Sequence, residues 1–154
     1  MQANGAAQAV LFSCLLMAAS VWDIRKRTIP DTLCAAVFLI GLLTFAPEKP
    51  PGILLGLPLL IGAMIAGSCK AGGIGGGDIK LTAACGFVLG IPAGTEGLIL
   101  GLAAFGCGYL ALKALRKIKH QSQPSAGRTA LPMVPFLSAG FISAYFVNFG
   151  GAIL

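Results

Sequence analysis

At residues 74–81 the chain reads Ile74-Gly75-Gly76-Gly77-Asp78-Ile79-Lys80-Leu81. This stretch puts a carboxylate into a sequence that is otherwise almost continuously apolar, and the whole chain has only five acidic residues. An acidic side chain at the edge of a bilayer segment costs about 2.5–3.5 kcal/mol, so it needs a partner, water or a chemical role. The three glycines allow a tight turn or a close approach by another chain. The stretch therefore predicts an active-site loop at a membrane surface.

The composition indicates a membrane protein. Hydrophobic residues make up 56% of the 154 residues and charged residues only 10%, with a mean hydropathy of +0.88. Soluble domains normally carry about 25% charged residues, so these charges are too few to cover a soluble surface. We expect an all-α, polytopic membrane helix bundle that forms a single membrane-embedded domain over residues 1–154, with no separate soluble domain.

The apolar runs predict about six transmembrane segments. We place them at roughly 5–22, 31–46, 52–69, 79–93, 96–113 and 130–151. A full span needs about 20 residues, so the second segment is slightly short and the fourth is too short without tilt or bilayer thinning. Proline marks the borders that we expect at three places: Pro30, residues 47–51 and residues 92–94. Small residues spaced four apart allow close helix packing and have a structural interpretation: Gly52/Gly56, Gly86/Gly90 and Gly97/Gly101.

The basic residues predict the orientation of this bundle. The first apolar run has no basic residue ahead of it and is followed by Arg25-Lys26-Arg27, which indicates a retained helix with its N-terminus outside. With six spans, ten of the eleven Lys and Arg residues then fall in inner loops, and only Lys49 falls outside. The positive-inside rule favours this orientation. The scattered charges do not indicate nucleic-acid binding. They indicate attraction to anionic lipid headgroups instead.

The same topology brings two carboxylates to the inner face. Asp23 lies at the inner end of the first span and Asp78 at the inner start of the fourth. Two close carboxylates cannot easily both ionise, so they share a proton. One can then act as a general base on water while the other donates a proton to the substrate. The pattern predicts a peptide-hydrolysing pair that needs no metal and no other cofactor.

Simpler roles remain open for these residues on spacing alone. Either Asp could be a solvated ion-pair partner, and Asp78 could cap the fourth helix. Asp31 is interpreted as a plain cap, and Glu96 lies on the opposite face. The other groups do not suggest a site, because the five cysteines lack zinc-like spacing and His120 has no further ligands nearby.

Three stretches carry the motifs of a known family. Residues 75–81 resemble the Gly-x-Gly-Asp-x-Lys-Leu signature of type IV prepilin peptidases, the membrane aspartic proteases of the GxGD type. Residues 23–30 are similar to the first catalytic motif of that family. Asp31, which follows them, stands where Asn is more common in the family. Residues 131–137 resemble its late Pro-x-x-Pro-Phe segment. The resemblance covers nearly the whole chain, in the same order.

The resemblance implies an aspartic endopeptidase of the bacterial cytoplasmic membrane. It would cut prepilins or pseudopilins after the final Gly of a short basic leader, with Asp23 and Asp78 as the catalytic pair. Gly75 and Gly77 would admit substrate backbone, and Pro132 and Pro135 would shape a helix entry near the active face. For Lys80 two roles stay open, either a positive charge held near the pair or a side chain that reaches the headgroups.

The larger family members carry an N-terminal cytoplasmic domain with paired Cys-x-x-Cys motifs and an N-methylation activity. This chain lacks such pairs and resembles the short, peptidase-only forms of Flp/Tad-type pili, so we expect no N-methyltransferase activity. Two rival classes remain. A small transporter would place its carboxylates near the bilayer middle, often between inverted halves, and a non-catalytic assembly factor of a pilus or secretion system would need neither Asp.

Overall fold

The computed structural model describes residues 2–43, 49–68, 75–118 and 131–149. These residues form six α-helices and one short 3₁₀ helix, Pro50–Leu55, and the described part contains no strand. The α-helices follow in chain order: α1 (Gln2–Lys26), α2 (Asp31–Leu43), α3 (Gly56–Ser68), α4 (Gly76–Leu89), α5 (Ile91–Ile118) and α6 (Val134–Phe149). The all-helical class expected from composition is confirmed.

The predicted border at residues 92–94 is wrong. Helix α4 ends at Leu89, and Gly90 forms the break with φ +81°, a left-handed conformation that favours glycine. Helix α5 then begins at Ile91 and contains Pro92 as its second residue. The first-turn N–H groups of a helix have no acceptor inside the helix, so proline is tolerated there. The break expected at Pro30 is present, because residues 27–30 separate α1 from α2.

Hydrogen bonds between distant residues define two ends of the bundle. At one end, the backbone N–H of Val134 donates to the carboxylate of Asp23, so the start of α6 lies beside the end of α1. At the other end, the hydroxyl of Tyr145 donates to the carbonyl of Gly5 and to the side chain of Gln8. Helices α1 and α6 are therefore antiparallel. We call these the Asp23 end and the Tyr145 end.

The remaining helices alternate in direction between the same two ends. The side-chain amide of Gln8 donates to the carbonyl of Ile40, which puts the end of α2 at the Tyr145 end. Asn148 donates to Glu96 at 2.7 Å, so the start of α5 lies there too. Lys80 pairs with Asp31, so α2 and α4 both begin at the Asp23 end. The two carboxylates of interest therefore occupy one end of the bundle, as the parity of the predicted spans requires.

Helix α4 is the central element. It contacts α2, α3, the 3₁₀ helix, α5 and α6, and most of its residues from Leu81 to Leu89 are buried. The closest contact of α4 is with the 3₁₀ helix, and two glycines allow it. A Cβ on Gly86 would overlap the carbonyl of Gly52, and a Cβ on Gly52 would overlap the carbonyl of Gly86. A similar contact joins α5 and α6, where a Cβ on Gly140 would overlap the backbone of Gly97 and Gly101. The small-residue spacings thus serve helix packing.

Among the described residues, two helices are long and apolar enough to cross a membrane, Gly5–Lys26 and Ile91–Leu115. Only 33% and 11% of their most apolar windows are buried in the bundle, whereas the core helix of a soluble protein would be mostly buried. Many of their large apolar side chains are exposed, as a lipid environment allows. Three other apolar helices are shorter: Asp31–Leu43, Pro50–Ile65 and Val134–Asn148. Six full spans and an outer N-terminus stay predictions.

Candidate active site

Asp23 lies in the last turn of α1 and is buried, with 8% of its surface exposed. One carboxylate oxygen, Oδ2, accepts a hydrogen bond from the backbone N–H of Val134 at 3.2 Å. Val134 is the first residue of α6, and the first N–H groups of a helix have no partner inside it. The carboxylate therefore satisfies an N-terminal donor and meets the positive end of the α6 dipole.

Asp78 lies in the first turn of α4, just before the span predicted to start at residue 79. The pKa of its carboxyl is raised to about 6, mainly by burial and also by the negative charge of Asp23, while a hydrogen bond with the Gly75 backbone lowers it in part. The backbone N–H of Asp78 also donates to the carbonyl of Gly75 at 3.0 Å. The two aspartates thus come from different helices and lie close enough for one charge to act on the other.

The glycines of the 75–78 turn have different surroundings. A Cβ added to Gly77 would lie 2.9 Å from the Cβ of Ile29, so Gly77 lets the link between α1 and α2 pack against α4. A Cβ on Gly75 would lie 3.4 Å from Oδ2 of Asp78, and one on Gly76 would meet nothing within 4 Å. Gly75 therefore adjoins the carboxyl of Asp78, and Gly77 serves packing.

Lys80 pairs with Asp31 rather than with either candidate catalytic residue. Its Nζ lies 2.8 and 2.9 Å from the two carboxylate oxygens of Asp31. Both side chains are largely exposed, 58% for Lys80 and 73% for Asp31, so the pair contributes little to stability. The sequence had suggested a charge beside the catalytic pair or a headgroup contact for Lys80, and a cap for Asp31. The ion pair links the start of α2 to the start of α4, at the same end of the bundle as Asp23 and Asp78.

The late proline motif lies beside Asp23. Pro132 is two residues ahead of α6, and Pro135 is the second residue of that helix. The carbonyl of Met133 accepts from the N–H groups of Phe136 and Leu137, both at 3.2 Å. This turn directs the N–H of Val134, which has no acceptor inside the helix, toward the carboxylate of Asp23.

Two serines next to this contact were not predicted as site residues. The hydroxyls of Ser20 and Ser138 hydrogen-bond each other at 2.5 Å, and both residues are buried. Ser20 lies one turn before Asp23 and Ser138 one turn after Val134, so the pair ties α1 to α6 directly below the carboxylate. Their spacing from Asp23 and from the proline motif was the only signal in the sequence.

The described residues contain no group of three or more His, Cys, Asp or Glu side chains that could hold a metal ion. Four described cysteines are free thiols: Cys14, Cys34, Cys85 and Cys107. His120 lies outside the described residues. The arrangement at the Asp23 end therefore offers two interacting carboxyls, a helix N-terminus and a glycine turn.

Known proteins resemble this chain in sequence. The chain is 32% identical over 143 residues to the prepilin leader peptidase/N-methyltransferase of Bacillus subtilis (strain 168). The alignment covers 89% of this chain and 54% of that protein, so the chain spans about half the length of this relative. No solved structure matches the chain significantly. A family model described as the type IV leader peptidase family matches residues 10–147, which include both aspartates. Because that match covers most of the chain, the protein belongs to the type IV leader peptidase family.

Proposed function

We propose that the chain is an aspartic endopeptidase that removes the leader from prepilins or pseudopilins, with Asp23 and Asp78 as its catalytic pair. The observation that carries this proposal is the interaction between the two carboxyls. They come from α1 and α4 and are buried or partly buried at one end of the bundle, and the charge of Asp23 helps to raise the pKa of Asp78 to about 6. Shifts of this kind, from burial plus one specific charge partner, concentrate at catalytic sites.

The chemistry follows from a proton shared by two carboxyls. The ionised carboxyl takes a proton from water, and the water oxygen attacks the carbonyl carbon of the scissile peptide bond. The protonated carboxyl gives its proton to the carbonyl oxygen, so no separate anion builds up there. Collapse of the tetrahedral intermediate breaks the C–N bond as a proton passes to the leaving nitrogen. A carboxyl with a pKa of about 6 exchanges protons readily near neutral pH, as this cycle needs.

The cytoplasmic side of the membrane is the proposed location of this chemistry. The proposal is supported by charge, because ten of eleven basic residues fall on the inner side of the predicted topology. The name of the Bacillus subtilis relative supports prepilins as the substrates. The substrate would present its leader at the membrane surface, where water reaches the two carboxyls.

The two rival functions differ from this one in what they require. A transporter would need carboxylates near the middle of the bilayer, often in broken helices of inverted halves. Asp23 and Asp78 lie instead at helix ends on one side of the bundle. A non-catalytic assembly factor has no use for a shared proton, so it would tolerate replacement of either Asp.

The first prediction tests the catalytic pair. Asp23→Asn and Asp78→Asn should each abolish cleavage of a co-expressed prepilin, because Asn keeps the shape of Asp but cannot accept or share the proton. The double variant should be no worse than either single one, since the two carboxyls act as a unit. A gel assay of prepilin processing measures both effects.

Two matched variants control this experiment. Asp31→Asn removes a carboxylate at the same end whose described partner is only the exposed Lys80, and Glu96→Gln removes one at the Tyr145 end. Both should keep most of the activity, and thermal-shift measurements should show that all variants stay folded. Substantial turnover by Asp23→Asn or Asp78→Asn would remove that residue from the pair. Loss of activity in a folded Asp31→Asn would make Asp31 the partner of Asp78.

We propose in addition that these 154 residues cleave without methylating the new N-terminus. The five cysteines provide no Cys-x-x-Cys pair of the kind the larger family members carry. The second prediction is that purified protein, incubated with a prepilin and S-adenosylmethionine, gives a product of unmodified mass. Mass spectrometry measures this, and a gain of one methyl group would contradict it.

A further inference from the structure

The outward face of α1 carries a groove at the Asp23 end that the catalytic proposal does not use. It has a volume of about 580 Å³ and is lined by residues of α1 alone: Met17, Ala18, Val21, Trp22, Arg25 and Lys26. These positions repeat every three to four residues, so they share one helix face. Asp23 is directed to the other side of α1, toward α6. The groove and the catalytic pair are thus separate features of one helix end.

The groove changes from apolar to basic along the helix axis. Met17, Val21 and Trp22 form its apolar part and are 61%, 49% and 41% exposed. Arg25 and Lys26 follow in the last turn of α1. The Nζ of Lys26 lies 4.5 Å from the centroid of the Trp22 ring, so a cation–π contact holds one charge over the aromatic wall. Tryptophan with Lys or Arg in this order is typical of a membrane–water boundary.

Among the described residues, no carboxylate forms an ion pair with Arg25 or Lys26. Asp23 binds Val134, Asp31 pairs with Lys80, and Asp78 lies beside Asp23. Glu96 binds Asn148 at the Tyr145 end. Within the described residues the positive charge of Arg25 and Lys26 is therefore not neutralised, and an anion from the surroundings would be complementary to it.

We propose that this groove binds one anionic phospholipid of the surrounding bilayer. Its phosphate lies between Arg25 and Lys26, and an acyl chain runs along Met17 and Val21, with Trp22 at the boundary between the two. An apolar wall that ends in two cations is complementary to such a lipid in both polarity and charge. A second copy of the chain packed face to face would bring a further Arg25 and Lys26, and like charges oppose that arrangement. A basic polypeptide segment is disfavoured for the same reason.

The test uses the fact that Trp22 is the single tryptophan of the chain. The intact protein is placed in nanodiscs of phosphatidylcholine that contain a fixed fraction of phosphatidylglycerol. Either the phosphatidylglycerol or the same fraction of phosphatidylcholine carries brominated acyl chains, which quench tryptophan fluorescence on contact. A Lys or Arg near the surface contributes about 1 kcal/mol of attraction to anionic lipid, about fivefold in occupancy. We expect brominated phosphatidylglycerol to be enriched at Trp22 at least fivefold over brominated phosphatidylcholine.

Variants that remove charge distinguish binding of anionic lipid in this groove from a general attraction of anionic lipid to the basic protein. The double variant Arg25→Gln/Lys26→Gln should abolish the enrichment. The control Lys113→Gln/Arg116→Gln removes two charges near the C-terminal end of α5 and should leave the enrichment unchanged. Circular dichroism shows that the variants remain helical. Equal quenching by the two brominated lipids would overturn the proposal, and so would equal effects of the two double variants. Absence of quenching by either lipid would mean that protein covers this face and would also overturn it. The readout involves no proteolysis, so it stands apart from the proposed function.

Discussion

Asp78 differs from an ordinary surface carboxylate in two respects that can be separated by mutation. Its burial disfavours the ionised form, and the charge of Asp23 disfavours it further. Both causes raise the pKa of Asp78, but they differ in origin. Burial results from the fold as a whole, whereas the charge comes from Asp23 alone. Removing Asp23 therefore tests whether the carboxyls interact without any need for a substrate.

The third prediction is that Asp23→Asn lowers the pKa of Asp78 from about 6. The value should stay above that of an exposed Asp, because the burial remains. Titration of the Asp carboxyl carbons by ¹³C NMR in nanodiscs measures it, with Asp78→Asn to assign the signal. Asp31→Asn is the matched control and should leave this titration nearly unchanged. An unchanged pKa in Asp23→Asn would show that the pair does not exist.

The same shift fixes the sign of a stability effect. The folded-state pKa of Asp78 lies above its unfolded value of 3.8, so the folded protein binds this proton more tightly than the unfolded chain does. The contribution to stability is present in full below about pH 4 and is lost as the pH rises through about 6. Asp78→Asn, which has no such group, should consequently show a melting temperature that is less sensitive to pH between 4 and 7.

At the scale of the helices, α4 and α5 approach the 3₁₀ helix closely because glycines leave room at the contacts. Gly86 lies directly against the carbonyl of Gly52, and a Cβ on Gly94 would lie 2.7 Å from a Leu55 methyl carbon. Small residues allow this approach in a bilayer, where helices gain little from exchanging lipid contacts for one another. Because Asp78 is in the first turn of the same helix, a shift of α4 would move it relative to Asp23.

The fourth prediction concerns this contact. Gly86→Ala should destabilise the protein by about 1–3 kcal/mol, because the added methyl meets backbone that cannot turn away. Gly106→Ala is the matched control on α5, where a Cβ would meet nothing within 4 Å. It should be neutral or stabilising by about 0.5–1 kcal/mol, the usual gain when Ala replaces Gly inside a helix. Thermal unfolding in detergent compares them, and equal melting temperatures would contradict the packing role of Gly86.

The sequence predicted these helices better than their ends and their partners. Apolar runs and the break at Pro30 were sufficient for six segments. The α4–α5 border was missed because proline was taken as the breaker, whereas the first turn of α5 accommodates Pro92 and Gly90 makes the turn. Span parity was sufficient to place Asp23 and Asp78 at the same end of the bundle. The Lys80–Asp31 and Ser20–Ser138 contacts could not be predicted, because they depend on which helix faces touch, and that is not encoded in spacing.

At the scale of the whole molecule, the alternating helices give the bundle two chemically different ends. The Asp23 end holds both candidate catalytic residues together with Arg25, Lys26 and the Lys80–Asp31 pair. The Tyr145 end holds Glu96, Asn148 and the buried hydrogen bonds of Gln8. A chain with this asymmetry is expected to keep a single orientation in the membrane.

The fifth prediction tests that orientation. In a cysteine-free background, Lys49→Cys should react only with thiol reagents added outside, and Gln121→Cys only with reagents that reach the cytoplasm. The reason is the ten-to-one division of basic residues in the predicted topology. Accessibility labelling of whole cells and of inverted vesicles measures both positions. Labelling of both from the same side would reject the six-span arrangement and the parity argument with it.

The hydrogen bond between Val134 and Asp23 also has a consequence for the order of synthesis. Its two partners are 111 residues apart in the chain, and the opposite end of the same helix pair is joined by Tyr145 and Gly5, 140 residues apart. Helix α1 is therefore synthesised well before α6, which carries the donor for its buried carboxylate. A chain translated only as far as α5 thus carries Asp23 and Asp78 but lacks α6, so the activity that we propose requires that α6 has inserted.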